Sequence, residues 1–168
     1  MAVSIRRASE TDKAEIESLV RSAAVNPRDI RWWRFLVAEE GGLIVGIQQL
    51  RTHGGGTREV ATRVVRSEFR RRGIGAELLR ALLVDQSGPL YLQCGENAAP
   101  YYERFGFYRV EPSTLPADFR REHRIGRFFV ALRSLAVRRR LSIVPMKRDA
   151  VSETRSRSTK ENTKENYS

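Results

Sequence analysis

The residues whose types and spacing suggest chemistry concentrate in one stretch, Arg70-Arg71-Arg72-Gly73-Ile74-Gly75, which runs straight into Ala76-Glu77-Leu78-Leu79-Arg80-Ala81-Leu82-Leu83. A strand-like segment precedes it and an amphipathic helix comes after it. Glycine at 73 and 75 lets the backbone approach a ligand closely. The free N–H groups of the helix's first turn, at the positive end of its dipole, favour an anion. Three consecutive guanidiniums add forked donors suited to phosphate oxygens. A pyrophosphate fits this turn, and a solvated basic helix start is the alternative reading. The stretch lacks both the Gly-Lys-Ser/Thr ending of a P-loop and the three-glycine spacing of a Rossmann fingerprint.

A second segment carries further information. Pro89-Leu90-Tyr91-Leu92 reads as a short strand, and Asn97-Ala98-Ala99-Pro100-Tyr101-Tyr102-Glu103-Arg104-Phe105-Gly106-Phe107 as a helix of one to two turns entering another strand. Arg-x-x-Gly-x-Gly after an apolar strand, carried by Arg70, Gly73 and Gly75, resembles the acetyl-CoA-binding motif of the GNAT N-acetyltransferase superfamily. Tyr-Glu-Arg-Phe-Gly-Phe resembles that superfamily's second signature. The two stand in the family's order, with one helix and one strand between them, and the resemblance covers roughly residues 3–111 and a last strand near 141–147.

The resemblance implies a mixed α/β fold with a mostly antiparallel central sheet flanked by helices, and acetyl-CoA as donor to a primary amine by direct attack. It implies that backbone groups of Arg63, Val64 and Val65 bind the pantetheine arm like an added strand. By the same carry-over Arg70, Arg71, Arg72, Gly73, Ile74, Gly75 and Ala76 bind pyrophosphate, and Asn97 contacts coenzyme A. Tyr102 matches the family's tyrosine, whose phenol can protonate the departing thiolate; outside the motif it reads as a packing aromatic. The amine must lose a proton, and a carboxylate near the site is the candidate base. Glu59 stands six residues before Val65 on the strand leading to the turn, a placement similar to the glutamate of histone-acetylating members. Other members carry theirs on the following strand, where this chain has Gln93. The competing reading of Glu59 is a surface carboxylate paired with Arg58 or a cross-strand arginine.

These groups need elements to position them. Val3 to Arg7 reads as a strand, then Ser9 caps a helix with Asp12 in a variant capping box; Ile16, Leu19, Val20 and Ala23 share one face, and the helix stops near Asn26-Pro27. Arg28 to Arg34 forms a short second helix with Trp32 and Trp33, a pair that reads as core before substrate wall. Phe35 to Ala38 and Leu43 to Arg51 make a hairpin, Gly54-Gly55-Gly56 turns again, and Arg58 to Val65 is a third antiparallel strand. A helix over Gly75 to Val84 then crosses to the strand at Leu90 to Leu92, which parallel pairing requires. His53-Gly54-Gly55-Gly56 resembles a lipase oxyanion loop, but no Gly-x-Ser-x-Gly elbow accompanies it, so a hairpin turn is expected.

From Phe119 to Arg140, Ile125, Phe128, Phe129, Leu132, Leu135 and Ala136 recur at helical spacing among arginines, so an extra basic amphipathic helix is expected before a last strand at Leu141 to Val144. Residues 1–148 are thus one catalytic domain with a basic helical insert at 118–140, and 149–168 a polar tail expected to be disordered. The net charge of +11 is local: residues 1–117 contribute +3, 118–148 contribute +8 and the tail contributes zero. With 168 residues and 40% hydrophobic content the chain can bury one substantial core. No apolar run approaches a membrane span, and the N-terminus lacks a signal peptide's apolar centre. Cys94 is the one cysteine, read as structural, which agrees with a cytoplasmic location. No metal is expected. The second reading is a non-catalytic module that binds nucleic acid or an anionic membrane through its basic helix; that helix could also cover the core or mediate a homodimer.

Overall fold

The computed structural model describes residues 2–23, 25, 29–84, 86–136 and 142–150. The first strand, β1 (Ser4–Arg7), leads through a 3₁₀ turn at Glu10–Asp12 into α1 (Lys13–Ser22). The capping variant forms: the Ser9 amide donates to Asp12 Oδ2 at 2.7 Å and its hydroxyl to the same oxygen at 2.9 Å. Arg6 Nη1 donates to it as well, at 2.7 Å, so the helix start is tied to β1. Ile16, Leu19 and Val20 are buried against the sheet, each worth about 1.5–3 kcal/mol of transfer free energy. The helix ends at Ser22, before the expected stop, and Asn26 to Arg28 lie outside the described residues. The expected second helix is reduced to a 3₁₀ turn at Trp32–Arg34.

The sheet has seven strands: β1, β2 (Phe35–Glu40), β3 (Leu43–Thr52), β4 (Arg58–Val65), β5 (Leu90–Gly95), β6 (Tyr108–Arg109) and β7 (Ile143–Arg148), in the order β1-β2-β3-β4-β5-β7-β6. Every pair is antiparallel except β4 with β5, joined by the crossover helix α2 (Ile74–Val84). A short helix, α3 (Ala99–Glu103), comes after β5, and α4 (Ala117–Ala136) precedes β7. The last strand sits later than expected because pairing outweighs apolar content: β7 matches β5 from Gly95↔Ile143 to Leu90↔Arg148, which draws Lys147 and Arg148 into the ladder.

The apolar face of α4 also differs from the sequence pattern. Phe128 is 62% and Phe129 58% exposed, while Phe119 and His123 are buried. The contact is made by Gly126: a Cβ there would stand 3.0 Å from Gln93 Oε1 and 3.2 Å from Ile143 Cδ1, so the helix docks where it can approach the sheet most closely. Residues 137–141, expected to continue the helix and open the last strand, lie outside the described residues.

Two irregularities open the sheet at its centre. The β3–β4 register runs Gln49↔Ala61 and then Gln48↔Arg63, leaving Thr62 as the extra residue of a bulge. A bulge reverses the parity of a strand: Val60 packs with Leu79 and Leu82 of α2, whereas Val64 packs with Ile16 and Leu19 of α1. The parallel ladder between β4 and β5 consists of Arg58↔Leu90 and Glu59↔Tyr91. Beyond Glu59 the two strands part, and the edge of β4 that faces β5 leaves the ladder at the middle of the protein.

Candidate active site

The turn from β4 into α2 has the backbone its sequence suggests. Arg71 adopts φ +61° and Gly73 φ +81°, left-handed conformations that turn the chain sharply ahead of the helix. The amides of Ala76 and Glu77 bond to the Gly73 carbonyl at 2.9 and 3.1 Å, so the amides before them face outward without an intrahelical acceptor. A Cβ on Gly73 would meet nothing within 4 Å, so this side of the turn is open. Here lies a cavity of about 620 Å³, whose walls include Arg63, Val64, Val65, Arg70, Arg71, Gly73, Ile74, Gly75 and Ala76. Ser22, Ala23 and Val25 close it from the α1 side, Phe69 from the turn after β4 and Tyr101 from α3.

Not all the arginines of the turn converge on it. Arg72 points away, bonded by Nη2 to Glu40 Oε1 at 2.6 Å and by Nη1 to Glu40 Oε2 at 3.1 Å, and stacks on Phe69. Arg70 Nε donates to the Val65 carbonyl at 3.1 Å. Arg71 remains an exposed cation on the cavity wall. Asn97 sits exposed in the turn before α3 and is not among the residues that line the cavity.

Tyr102 lies on the same side of the sheet, packed with Phe107 and with Tyr101, whose rings lie 6.1 and 5.2 Å away. Burial raises its phenol above the ordinary tyrosine range, against the opposing pull of the Arg63 charge. The Arg63 guanidinium stands over both rings, 4.4 Å from the centroid of Tyr101 and 5.0 Å from that of Tyr102. Sequence reasoning assigns Arg63 only a backbone role. The signal that could find its side chain is an arginine set directly before the apolar pair Val64-Val65 on the strand that enters the turn.

Glu59 occupies the opposite face. It is 3% exposed, and its Oε2 lies 2.9 Å from His53 Nε2 and 3.4 Å from Arg51 Nη1. It is therefore a buried carboxylate paired across the hairpin with Arg51, neither a surface group nor a partner of Arg58, which bonds Gln86 instead. The network continues outward: Arg51 also reaches Gln49 Oε1 at 3.4 Å and Asp29 at 4.0 Å. Burial pushes the Asp29 carboxyl up, but Arg31, Arg34 and Arg51 outweigh it and hold it below the usual range.

The start of α4 covers this face. Asp118 accepts from the Gly55 amide at 3.0 Å, the Thr57 amide at 3.3 Å and the Thr57 hydroxyl at 2.6 Å. Phe119 then packs on His53 and Tyr91, with ring centroids 5.7 and 5.5 Å away. The triple-glycine turn thus serves as a docking point for α4; a Cβ on Gly55 would stand 2.7 Å from Asp118 Oδ2. His123 Nδ1 lies 3.3 Å from Gln93 Oε1, so the β5 side chain at this position is an amide held by α4.

The tryptophans divide. Trp32 packs against the α1 core cluster, while Trp33 is 54% exposed under Arg31. Both line a cavity of about 430 Å³ with Asp29, Ile30 and α1 residues. The Cys94 thiol is half-buried against Met146, and burial raises it to about 11, which leaves it a neutral packing group at ordinary pH. Among the described residues no three His, Cys, Asp or Glu side chains are grouped to hold a metal ion, and no helix is long and apolar enough to cross a membrane.

Comparison with known proteins agrees with this geometry. A family model described as an acetyltransferase (GNAT) domain matches residues 31–109. N-acetylglutamate synthase from Neisseria gonorrhoeae, solved with coenzyme A and L-arginine, superposes with a TM-score of 0.68 at 20% identity, over 89% of this chain and 34% of its own. A Mycobacterium tuberculosis protein solved in complex with CoA gives 0.66 at 23% identity, over 88% of this chain and 99% of that one. The ribosomal-protein-S18-alanine N-acetyltransferase of Escherichia coli gives 0.62 at 15% identity, over 90% and 96%. This chain spans about a third of the length of the Neisseria enzyme. No curated protein matches it by sequence.

Proposed function

We propose that this chain, whose residues 31–109 match a family model described as an acetyltransferase (GNAT) domain, transfers an acetyl group from acetyl-CoA to a primary amine by direct attack. The observation that carries this reading is the open cavity of about 620 Å³ where the left-handed turn at Arg71 and Gly73 meets the free edge of β4. The diphosphate of the coenzyme binds the amides of Arg71 to Gly75, with Ala76 lining the wall, assisted by the exposed cations of Arg70 and Arg71. The pantetheine arm runs along Arg63, Val64 and Val65, where β4 has parted from β5.

Tyr102 and Glu59, on opposite faces of the sheet, are the proposed acid and base; neither is among the residues that line the cavity. A phenol raised by burial stays protonated at neutral pH and can donate to the sulfur as the C–S bond breaks. Glu59 takes the proton of the amine, directly or through water, with His53 and Arg51 fixing its orientation. The acceptor enters on the side bounded by α4 and the Trp32–Trp33 cavity. The half-buried, unreactive thiol of Cys94 fits a reducing compartment, and the cytoplasm is the proposed location.

Purified protein given acetyl-CoA and a panel of amines, including amino acids, polyamines and peptide N-termini, is expected to release free thiol in the presence of at least one acceptor; no release with any acceptor contradicts the proposal. A second reading rests on the outer face of α4, where Arg120, Arg121, Arg124 and Arg127 surround an exposed Phe128: contact with nucleic acid or an anionic membrane. Binding that weakens steeply with salt supports it, and absence of binding at low salt removes it.

A further inference from the structure

Arg63 is a cation without a counter-ion among the described residues. Its guanidinium lies against the rings of Tyr101 and Tyr102, and its Nη1 is buried with no hydrogen-bond acceptor, as is the hydroxyl of Tyr101. None of the ion pairs of the described residues includes it. The more deeply buried Arg51 is paired with Glu59, and the partly buried Arg66 with Glu15. A guanidinium does not shed its proton, so burial cannot be relieved by neutralisation. The two π faces offset part of the desolvation, and the remainder leaves a site complementary to an anion.

The placement says which anion. The Arg63 side chain leaves β4 on the α2 and α3 side, its stem passes 3.6 Å from where a Cβ of Gly75 would stand, and it lines the proposed coenzyme cavity. Its charge ends beside Tyr102, the proposed proton donor. We propose that Arg63 stabilises the thiolate of coenzyme A as it leaves, in concert with Tyr102; this rests on the acetyl-transfer reading above. The amine lone pair attacks the thioester carbonyl carbon and a C–N bond forms. The C–S bond then breaks, its electron pair passes to sulfur, the phenol proton is transferred to it, and the proton lost by the amine goes to Glu59. Arg63 holds the negative charge on sulfur before the proton arrives.

The other titratable groups facing Arg63 are the phenols of Tyr101 and Tyr102 on α3 and the thiol of Cys94 on β5, with Arg70 and Arg71 on the same cavity wall. A difference measurement removes their contribution. The thiolate absorbance of bound CoA is titrated against pH in wild type, Arg63→Lys and Arg63→Met, with the desulfo-CoA complex of each protein subtracted. The bound thiol is expected to titrate at least about one unit lower in wild type than in Arg63→Met, a ~10-fold shift, with Arg63→Lys between them. Arg63→Met is also expected to lower kcat while leaving the KM for acetyl-CoA unchanged. A thiol that titrates alike in wild type and Arg63→Met overturns the proposal. So does a variant that loses desulfo-CoA as well as CoA, since Arg63 would then hold the coenzyme arm. Wild-type protein that binds neither molecule overturns the acetyl-transfer reading itself.

Discussion

Tyr102 and Glu59 differ in how their neighbours treat their charge, and that difference sets the tests. Tyr102→Phe removes the proposed donor but keeps the ring that packs on Phe107, so kcat is expected to fall about 100-fold with little change in thermal stability. Glu59→Gln leaves Arg51 and His53 facing a neutral amide. The rate is expected to fall by a similar ~10²-fold factor; a variant that turns over as fast as wild type removes Glu59 from the mechanism. Much of this site is legible in the sequence because motif spacing fixes backbone geometry. The glycines at 73 and 75 and the Tyr-Glu-Arg-Phe-Gly-Phe run declare a turn and a short helix before any contact is known. Side-chain partners are less legible: Arg72 turns to Glu40, thirty-two residues away in the chain, which no local pattern announces. The Arg51–Glu59 pair is intermediate, since a hairpin centred on Gly55 places the two opposite each other, yet its burial depends on α4 arriving later in the chain.

At the scale of elements, close approach decides what docks. Gly46 lets α2 lie directly on β3: a Cβ there would meet Ile74 Cγ2 and Leu78 Cδ1, both at 3.1 Å. Gly46→Val is expected to cost about 1–3 kcal/mol, read by denaturant unfolding, because the intruding side chain must push the crossover helix and the turn before it outward. The docking of α4 carries a pH signature. Burial, reinforced by Arg127, lowers His123 below its ordinary value in the folded protein. The unfolded chain therefore binds more protons below about pH 6.5, so this stability is present above that pH and declines as pH falls through it. The melting temperature is expected to drop between pH 7 and 5.5, and to drop less in His123→Gln. Periodicity locates α4 but misjudges its face, because Phe128 and Phe129 satisfy helical spacing while Gly126 and His123 make the contact. Glycine carries no weight in a hydrophobic pattern, although it is what allows the helix to reach Gln93.

For the whole molecule, the strand order up to β5 arises from hairpins and one crossover and is readable along the chain. The insertion of β7 between β5 and β6 is a long-range choice that apolar runs do not encode. The charge is divided as the sequence divides it: the segment through residue 117 carries +3 and contains the proposed coenzyme cavity, while the excess of +8 lies on residues 118–148, beginning with α4. Coenzyme binding should thus depend on the backbone of the turn far more than on net charge. The central claim is that this turn grips the diphosphate, and titration calorimetry with CoA on wild type and Gly73→Val tests it most directly. A Cβ meets nothing within 4 Å at that position, but a β-branched residue disfavours the φ of +81° that aims the amides. The account predicts one CoA bound per chain by wild type and at least ~10-fold weaker binding by the folded variant; no heat from wild type, or equal affinity in the two proteins, contradicts it.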